Sequence, residues 1–173
     1  TTKLDNITSI LGFGPSNAKE IKNKYNITKA SELINQYEKN PNKFKLTHIQ
    51  EIGIKYNKDL KTPIPRNETK KIFNNYFLPR IQEIINKYNL YGMIAGSYPS
   101  GKTESKDIDI LISSPNKYSN KHENILKQII NNFKDNEEII TLSLGESKFL
   151  GLIKGYETNI WHHLDMRIVS NNE

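Results

Sequence analysis

The hydrophobic positions of this chain change their spacing about halfway along its length. Up to residue 60 they recur every three to four residues, the period of one helix face. Leu4, Ile7, Ile10 and Leu11 predict a first helix running into Gly12-Phe13-Gly14-Pro15, and Ser16-Asn17-Ala18-Lys19-Glu20-Ile21 opens a second. A third is predicted over 28–36, capped by Thr28 or Ser31, with Ala30, Leu33 and Ile34 inward and Asn40-Pro41-Asn42 as its stop. The stretch 46–56 predicts a fourth, with Leu46, Ile49, Ile52 and Tyr56 facing in. Thr62-Pro63-Ile64-Pro65 is stiff and extended, because each proline disfavours helix at the residue before it, and it marks a boundary.

Beyond it, Asn67-Glu68 opens a long amphipathic helix to about Tyr88 that Pro79 should kink or split. The apolar period then shortens to two. Strands are predicted over 91–95, 107–113, 139–144, 148–154 and 161–169, with one helix at about 120–132 inserted. Helices and strands are segregated and the return strands are joined by short turns such as Leu144-Gly145-Glu146-Ser147. The expected fold class is therefore α+β: a small all-α subdomain over 1–62, then a mixed or antiparallel sheet flanked by helices over 63–173.

Composition narrows the function classes. The 173 residues suffice for one sizeable core or two small ones, and the absence of cysteine excludes disulfides and cysteine-type zinc sites. No apolar run approaches the roughly 20 residues that span a bilayer, so the chain reads as soluble, intracellular and free of membrane partners, with nuclear and viral or cytoplasmic compartments left open. A monomer is expected. Lys plus Arg is 25 against 19 acidic residues, a formal +6 that favours polyanionic partners. Only Arg66, Arg80 and Arg167 are arginine.

Candidate chemistry lies in the strand region. Asp107 and Asp109 alternate with Ile108 and Ile110, so both carboxylates share one strand face while the isoleucines enter a core. Asp165 sits in a second apolar strand, Leu164-Asp165-Met166-Arg167-Ile168-Val169. Three carboxylates supply enough hard oxygens for a pair of Mg²⁺ ions about 4 Å apart, the arrangement used for in-line phosphoryl transfer, with Mn²⁺ able to substitute. Gly96-Ser97 follows a predicted strand and opens the loop Tyr98-Pro99-Ser100-Gly101-Lys102, which suits a cradle of backbone amides and one hydroxyl for a triphosphate. Taken singly, each element describes an ordinary solvated surface. Their order and their placement on strands and loops together predict nucleotidyl transfer.

Gly12-Phe13-Gly14-Pro15 permits a tight hairpin and exposes backbone amides at the start of the helix carrying Ala18. It resembles the helix-hairpin-helix, which grips a DNA phosphate without reading bases. That resemblance implies contacts at Gly12, Gly14, Ser16 and Asn17, and a Na⁺ or K⁺ ion on the carbonyls of Thr8, Ile10 and Phe13.

With these motifs the chain resembles the family X DNA polymerases over essentially its full length. Non-catalytic stretches share in the match: Leu46-Thr47-His48-Ile49-Gln50-Glu51-Ile52-Gly53-Ile54-Lys55-Tyr56, Ile64-Pro65-Arg66 and Leu142-Ser143-Leu144-Gly145-Glu146-Ser147-Lys148-Phe149. The resemblance implies a helix-hairpin-helix subdomain followed by a nucleotidyltransferase palm. The implied activity is gap-filling, base-excision-repair DNA synthesis on gapped or primer–template DNA with dNTP. By the same resemblance Asp107 and Asp109 bind both metals, Asp165 binds the catalytic one and orients the primer 3′-hydroxyl, and Ser97, Ser105, the backbone at Lys106 and Arg66 hold the triphosphate. Arg167 pairs with the carboxylates, and Lys148 and His163 lie near DNA. The chain departs from the family at Ser100, where an arginine usually grips triphosphate, at Lys106, where glycine is usual, and at His163, where arginine is usual.

The resemblance further implies that a nucleotide-selecting subdomain after Asp165 and a lyase domain before the hairpin are missing. The chain then reads as a piece of a longer polymerase with little activity of its own. Two alternatives compete: a template-independent or small-substrate nucleotidyltransferase, and a non-catalytic helix-hairpin-helix DNA-binding module.

Overall fold

A computed structural model of the chain describes residues 5–171. They form two compact units that divide between Lys58 and Asp59. Leu4 lies outside the described residues.

The first unit packs α1 (Pro15–Tyr25), α2 (Ala30–Lys39) and α3 (His48–Lys55) around Ile7, Ile10, Phe13, Ile21, Ile27, Ala30, Leu33, Phe44 and Ile54. Proline opens α1, where its missing N–H costs nothing, and Asn26 ends it in the left-handed region at φ +55°. In place of the predicted first helix the described residues hold a 3₁₀ turn, Ile7–Ser9, with Asp5 in 3₁₀ conformation just before it. Asn6 is extended and bridges Lys29, which separates Asp5 from the Ile7–Ser9 turn and interrupts any continuous helix there. The cap of α2 also differs from expectation. Neither Thr28 nor Ser31 caps it; the Asp5 carboxylate accepts from both the Ser31 N–H and its hydroxyl, at 2.9 Å each. In α3, Thr47 and Gln50 form a reciprocal box, Thr47 Oγ1 accepting from Gln50 N at 3.2 Å and Gln50 Oε1 from Thr47 N at 3.0 Å. Ile52 is buried as its period predicts, together with Gln50, Gly53 and Ile54, but Ile49 faces solvent. The cause is Gly53: a Cβ there would lie 2.0 Å from Leu11 O, so only glycine lets α3 press on the hairpin backbone.

α4 (Asn57–Lys61) spans the division, and the second unit continues with β1 (Ile64–Pro65). The long helix then runs as α5 (Arg66–Lys71), a π-helical turn (Ile72–Phe77) and α6 (Leu78–Arg80), breaks at Ile81, and resumes as α7 (Gln82–Tyr88). Pro79 lacks an N–H for the turn before it, and the wider π turn followed by the break absorbs that loss. There follow β2 (Tyr91–Ile94), β3 (Glu104–Ser105), β4 (Asp107–Pro115), α8 (His122–Ile130), β5 (Ile139–Leu144), β6 (Lys148–Lys154) and β7 (Trp161–Asn171).

Five strands form one sheet in the order β2-β4-β7-β6-β5; β4 and β7 are parallel and the other pairs antiparallel. This is the predicted α+β architecture with a mixed sheet. Strand alternation puts Ile108, Ile110, Ile112, Phe149, Leu164, Met166 and Ile168 on one face, where Ile72, Phe73, Phe77, Ile81, Ile125, Leu126 and Ile129 cover them. The opposite face carries the carboxylates, with Met93, Leu150 and Val169 exposed beside them. No helix among the described residues is long and apolar enough to cross a membrane.

Candidate active site

The three aspartates come together because β4 and β7 are neighbours in parallel register. Asp109 pairs directly with Asp165, and Asp107 with His163. Paired residues on adjacent strands project to the same side, as do residues two apart on one strand, so all three carboxyl groups stand on the same sheet face. Asp107 is exposed and the other two half-buried. Burial raises the Asp109 carboxyl above its ordinary range, the charges of Asp107 and Asp165 push it further, and Arg167 pulls it back. Arg167 stands on the same face two residues after Asp165 and acts through space: among the described residues it forms no ion pair with any of the three, contrary to the sequence expectation. One carboxylate oxygen, Asp165 Oδ1, is buried without a hydrogen-bond partner.

No three His, Asp or Glu side chains among the described residues close into a ready-made metal shell. The cluster nevertheless fits a hard cation chemically. It is a set of mutually repelling carboxylates, one with an unsatisfied buried oxygen, and positive charge is what would relieve both conditions.

The Gly96-Ser97 loop is built against this cluster. Ala95 N–H donates to Asp109 O at 2.8 Å, and Gly96 turns the chain at φ +66° so closely that a Cβ there would lie 2.1 Å from Asp109 Oδ2. Ser97 O accepts from the Ser100 hydroxyl at 2.6 Å, so Ser100 is turned back into the loop. The stem of the loop is held by pairing of Ile64 with Ser105 and Pro65 with Glu104, and by Arg66 N–H donating to Thr103 O at 2.9 Å. The Ser105 hydroxyl donates to Asp107 O at 3.1 Å, and Lys106 is exposed between β3 and β4. Thus Arg66, Gly96, Ser97, Ser105 and Lys106 belong to one loop system that runs into Asp107 and Asp109. The site residue that the sequence did not reveal is Tyr98. Its ring lies 3.7 Å beneath the Arg66 guanidinium carbon, and its carbonyl accepts from Arg66 Nη1. Lys148 is half-buried on β6 and pairs with Arg167, while His163 is half-buried on β7.

In the first unit, Gly12 turns the hairpin at φ +92°. The Gly14 N–H is already taken by Asn17 Oδ1 at 2.9 Å, so the first-turn amides of Ser16 and Asn17 are the donors left for an anion. Of the expected cation carbonyls, Thr8 belongs to the 3₁₀ turn and Ile10 O already accepts from Phe13 N at 3.1 Å. A second residue missed from sequence is Gln50, buried, whose Nε2 donates to Gly12 O at 3.1 Å and braces the hairpin. Its position three residues after Thr47 was the available signal.

Comparison with known proteins places the fold in a known family. The DNA polymerase beta palm family matches residues 63–171. DNA polymerase lambda of Arabidopsis thaliana is 31% identical over 127 residues, which cover 73% of this chain and 21% of that protein. The chain therefore spans about a fifth of the length of that relative. Crystal structures of Leishmania infantum polymerase beta, one a ternary gap complex and one a ternary P/T complex, share the fold with a TM-score of 0.78 at 23% identity. Each covers 96% of this chain, which in turn covers 56% and 64% of them. With the palm model covering well over half of its residues, the chain belongs to the DNA polymerase beta palm family, the family X polymerases.

Proposed function

We propose that residues 1–62 grip DNA and residues 63–173 carry the nucleotidyl-transfer chemistry of a gap-filling, repair-type DNA-directed DNA polymerase. The observation that carries this reading is the pairing of Asp109 with Asp165 across β4 and β7, with Gly96 of the loop lying on the Asp109 carboxylate. Asp107 and Asp109 would hold two Mg²⁺ ions and Asp165 one of them. Bound there, the ions would supply Lewis acidity and neutralise the charge that develops on the phosphoryl group.

The chain's own residues then divide the remaining work. Ser97, Ser105, the Lys106 amide and Arg66 would hold the triphosphate of a dNTP, fixing its α-phosphorus opposite the primer terminus. The 3′-hydroxyl oxygen bonds to that phosphorus as the bond to pyrophosphate breaks, and Asp165 orients the hydroxyl and takes its proton. Lys148 and His163 contact DNA beside the site. The first-turn amides of Ser16 and Asn17, with the Gly12–Gly14 hairpin, bind a DNA phosphate, aided by Na⁺ or K⁺ on the carbonyls of Thr8, Ile10 and Phe13. Charge supports this division. Residues 1–58 hold ten lysines against five acidic residues, so +5 of the formal +6 belongs to the first unit.

Calorimetric titration of Mn²⁺ into the chain and into an Asp109→Ala variant tests the reading. A loss of affinity of about tenfold or more is expected, since each carboxylate removed subtracts one of few charged ligands. Identical titrations would end the enzyme reading in favour of a non-catalytic DNA-binding module.

A further inference from the structure

Three arginines are present in the chain, and their surroundings differ. Arg80 is committed to Glu138 through two parallel hydrogen bonds. Arg167 stands on β7 and acts on Asp109 through space. Arg66 alone combines a seat on a neighbouring residue with an absence of acidic partners: among the described residues it forms no ion pair, yet its guanidinium is held at two points. The guanidinium carbon lies over the Tyr98 ring, 3.7 Å from its centroid, and Nη1 donates to Tyr98 O. A guanidinium carries five donors, and one is used here.

Both partners stand on fixed backbone. Arg66 is the first residue of α5 and its amide closes the stem at Thr103. Tyr98 lies one residue past Ser97 and packs its half-buried side against the main core. The loop offers no other firm cation. Ser100 is folded back on Ser97 O, and Lys102 and Lys106 are exposed, each a point charge on a flexible stem.

We propose that Tyr98 is a positioning residue for triphosphate recognition, holding the Arg66 guanidinium in one orientation so that its unused donors meet phosphate oxygens without first losing rotamer freedom. The inference rests on the triphosphate reading of the Gly96-Ser97 loop given above. A flexible, unpaired arginine would spend part of its binding energy on being ordered, and a stacked one does not. Stacking on an aromatic face also suits arginine and not lysine.

The test measures binding of dATP, in the presence of Mg²⁺, to the full chain by isothermal titration, with deoxyadenosine as the phosphate-free comparison. Four variants are needed: Tyr98→Phe, Tyr98→Leu, Arg66→Gln and the double variant Tyr98→Leu/Arg66→Gln. Tyr98→Met serves if the leucine variant does not fold. Tyr98→Phe should bind dATP within about twofold of the parent, because the ring and the backbone carbonyl both remain. Tyr98→Leu should bind about five- to tenfold more weakly, the worth of one stacked, preordered cation. In the Arg66→Gln background the same change should cost less than about twofold, since coupled residues are non-additive. A purely structural role would weaken both backgrounds alike. Equal losses in the two backgrounds, or unchanged dATP binding by Tyr98→Leu, would overturn the inference while leaving the triphosphate site standing. Failure of the parent chain to bind dATP more tightly than deoxyadenosine would overturn the site reading and this inference with it.

Discussion

Replacing Gly96 by alanine attacks the point where the loop meets the carboxylates, and the structure separates two penalties. The first is conformational. At φ +66° an L-residue lies in the left-handed region, which costs about 1–2 kcal/mol. The second is contact: the new Cβ would stand 2.1 Å from Asp109 Oδ2, 2.8 Å from its Cγ and 3.1 Å from its Cβ. Rotating the carboxylate relieves the first of these distances and leaves the last, because Asp109 Cβ is fixed by a sheet strand. Crowding of this kind costs about 1–3 kcal/mol. The two add to roughly 2–5 kcal/mol, a fall of roughly 4–20 °C in the midpoint of thermal unfolding for a chain of this size. Whatever folded protein remains should hold Mn²⁺ at least about tenfold more weakly, because a displaced Asp109 can no longer share an ion with its neighbours. Gly101→Ala is the control. Gly101 has φ +81° with nothing within 4 Å of the added Cβ, so it isolates the conformational cost of about 1–2 kcal/mol and should leave Mn²⁺ binding unchanged. Circular dichroism melting and Mn²⁺ calorimetry on the two variants decide the matter. A Gly96→Ala chain that melts like Gly101→Ala and binds Mn²⁺ like the parent would refute the packing of the loop on Asp109.

Two further outcomes are expected. Gly53→Ala should destabilise the first unit by up to about 2 kcal/mol, since a Cβ 2.0 Å from Leu11 O meets backbone that cannot step aside, at a cost of about 1–3 kcal/mol that the roughly 1 kcal/mol gained by alanine over glycine in a helix only partly offsets. Denaturant titration of the isolated change reads it directly, and a more stable variant would show that α3 does not press on the hairpin. His162 is buried with Nε2 unpartnered, and burial holds its pKa down at about 4 despite the opposing charge of Asp59. The folded state thus keeps it neutral where the unfolded chain, near 6.5, takes a proton. Its contribution is complete above pH 6.5 and is lost as pH falls from there towards 4, by up to about 1.4 kcal/mol per pH unit. Urea titrations across that window should steepen accordingly in the parent and flatten in His162→Phe; equal slopes would contradict a neutral buried imidazole.

Much of the second unit was legible because its strands are either strict alternations or wholly apolar runs. β5 and β6 have the predicted bounds, and Asp107-Ile108-Asp109-Ile110 has its carboxylates and isoleucines on the predicted faces. Local signals failed where a distant residue supplied what the sequence seeks nearby. The cap of α2 comes from Asp5, the first helix gives way to a 3₁₀ turn because Asn6 bridges Lys29, and α3 is rotated by the contact of Gly53 with Leu11.

Sequence alone determined the residue types and their order: two carboxylates on one strand face, a third on another apolar strand, a glycine-serine loop, and a glycine hairpin in a lysine-rich first unit. Side-chain alternation and helical period are properties of the backbone itself, so they can be read without a fold. Only the tertiary structure decided that Asp109 and Asp165 pair across a parallel rung, that Gly96 lies on the Asp109 carboxylate, and that Arg66 is seated on Tyr98. Those contacts join residues far apart in the chain, and their register is set by how the helix-covered face of the sheet packs, which no local pattern encodes.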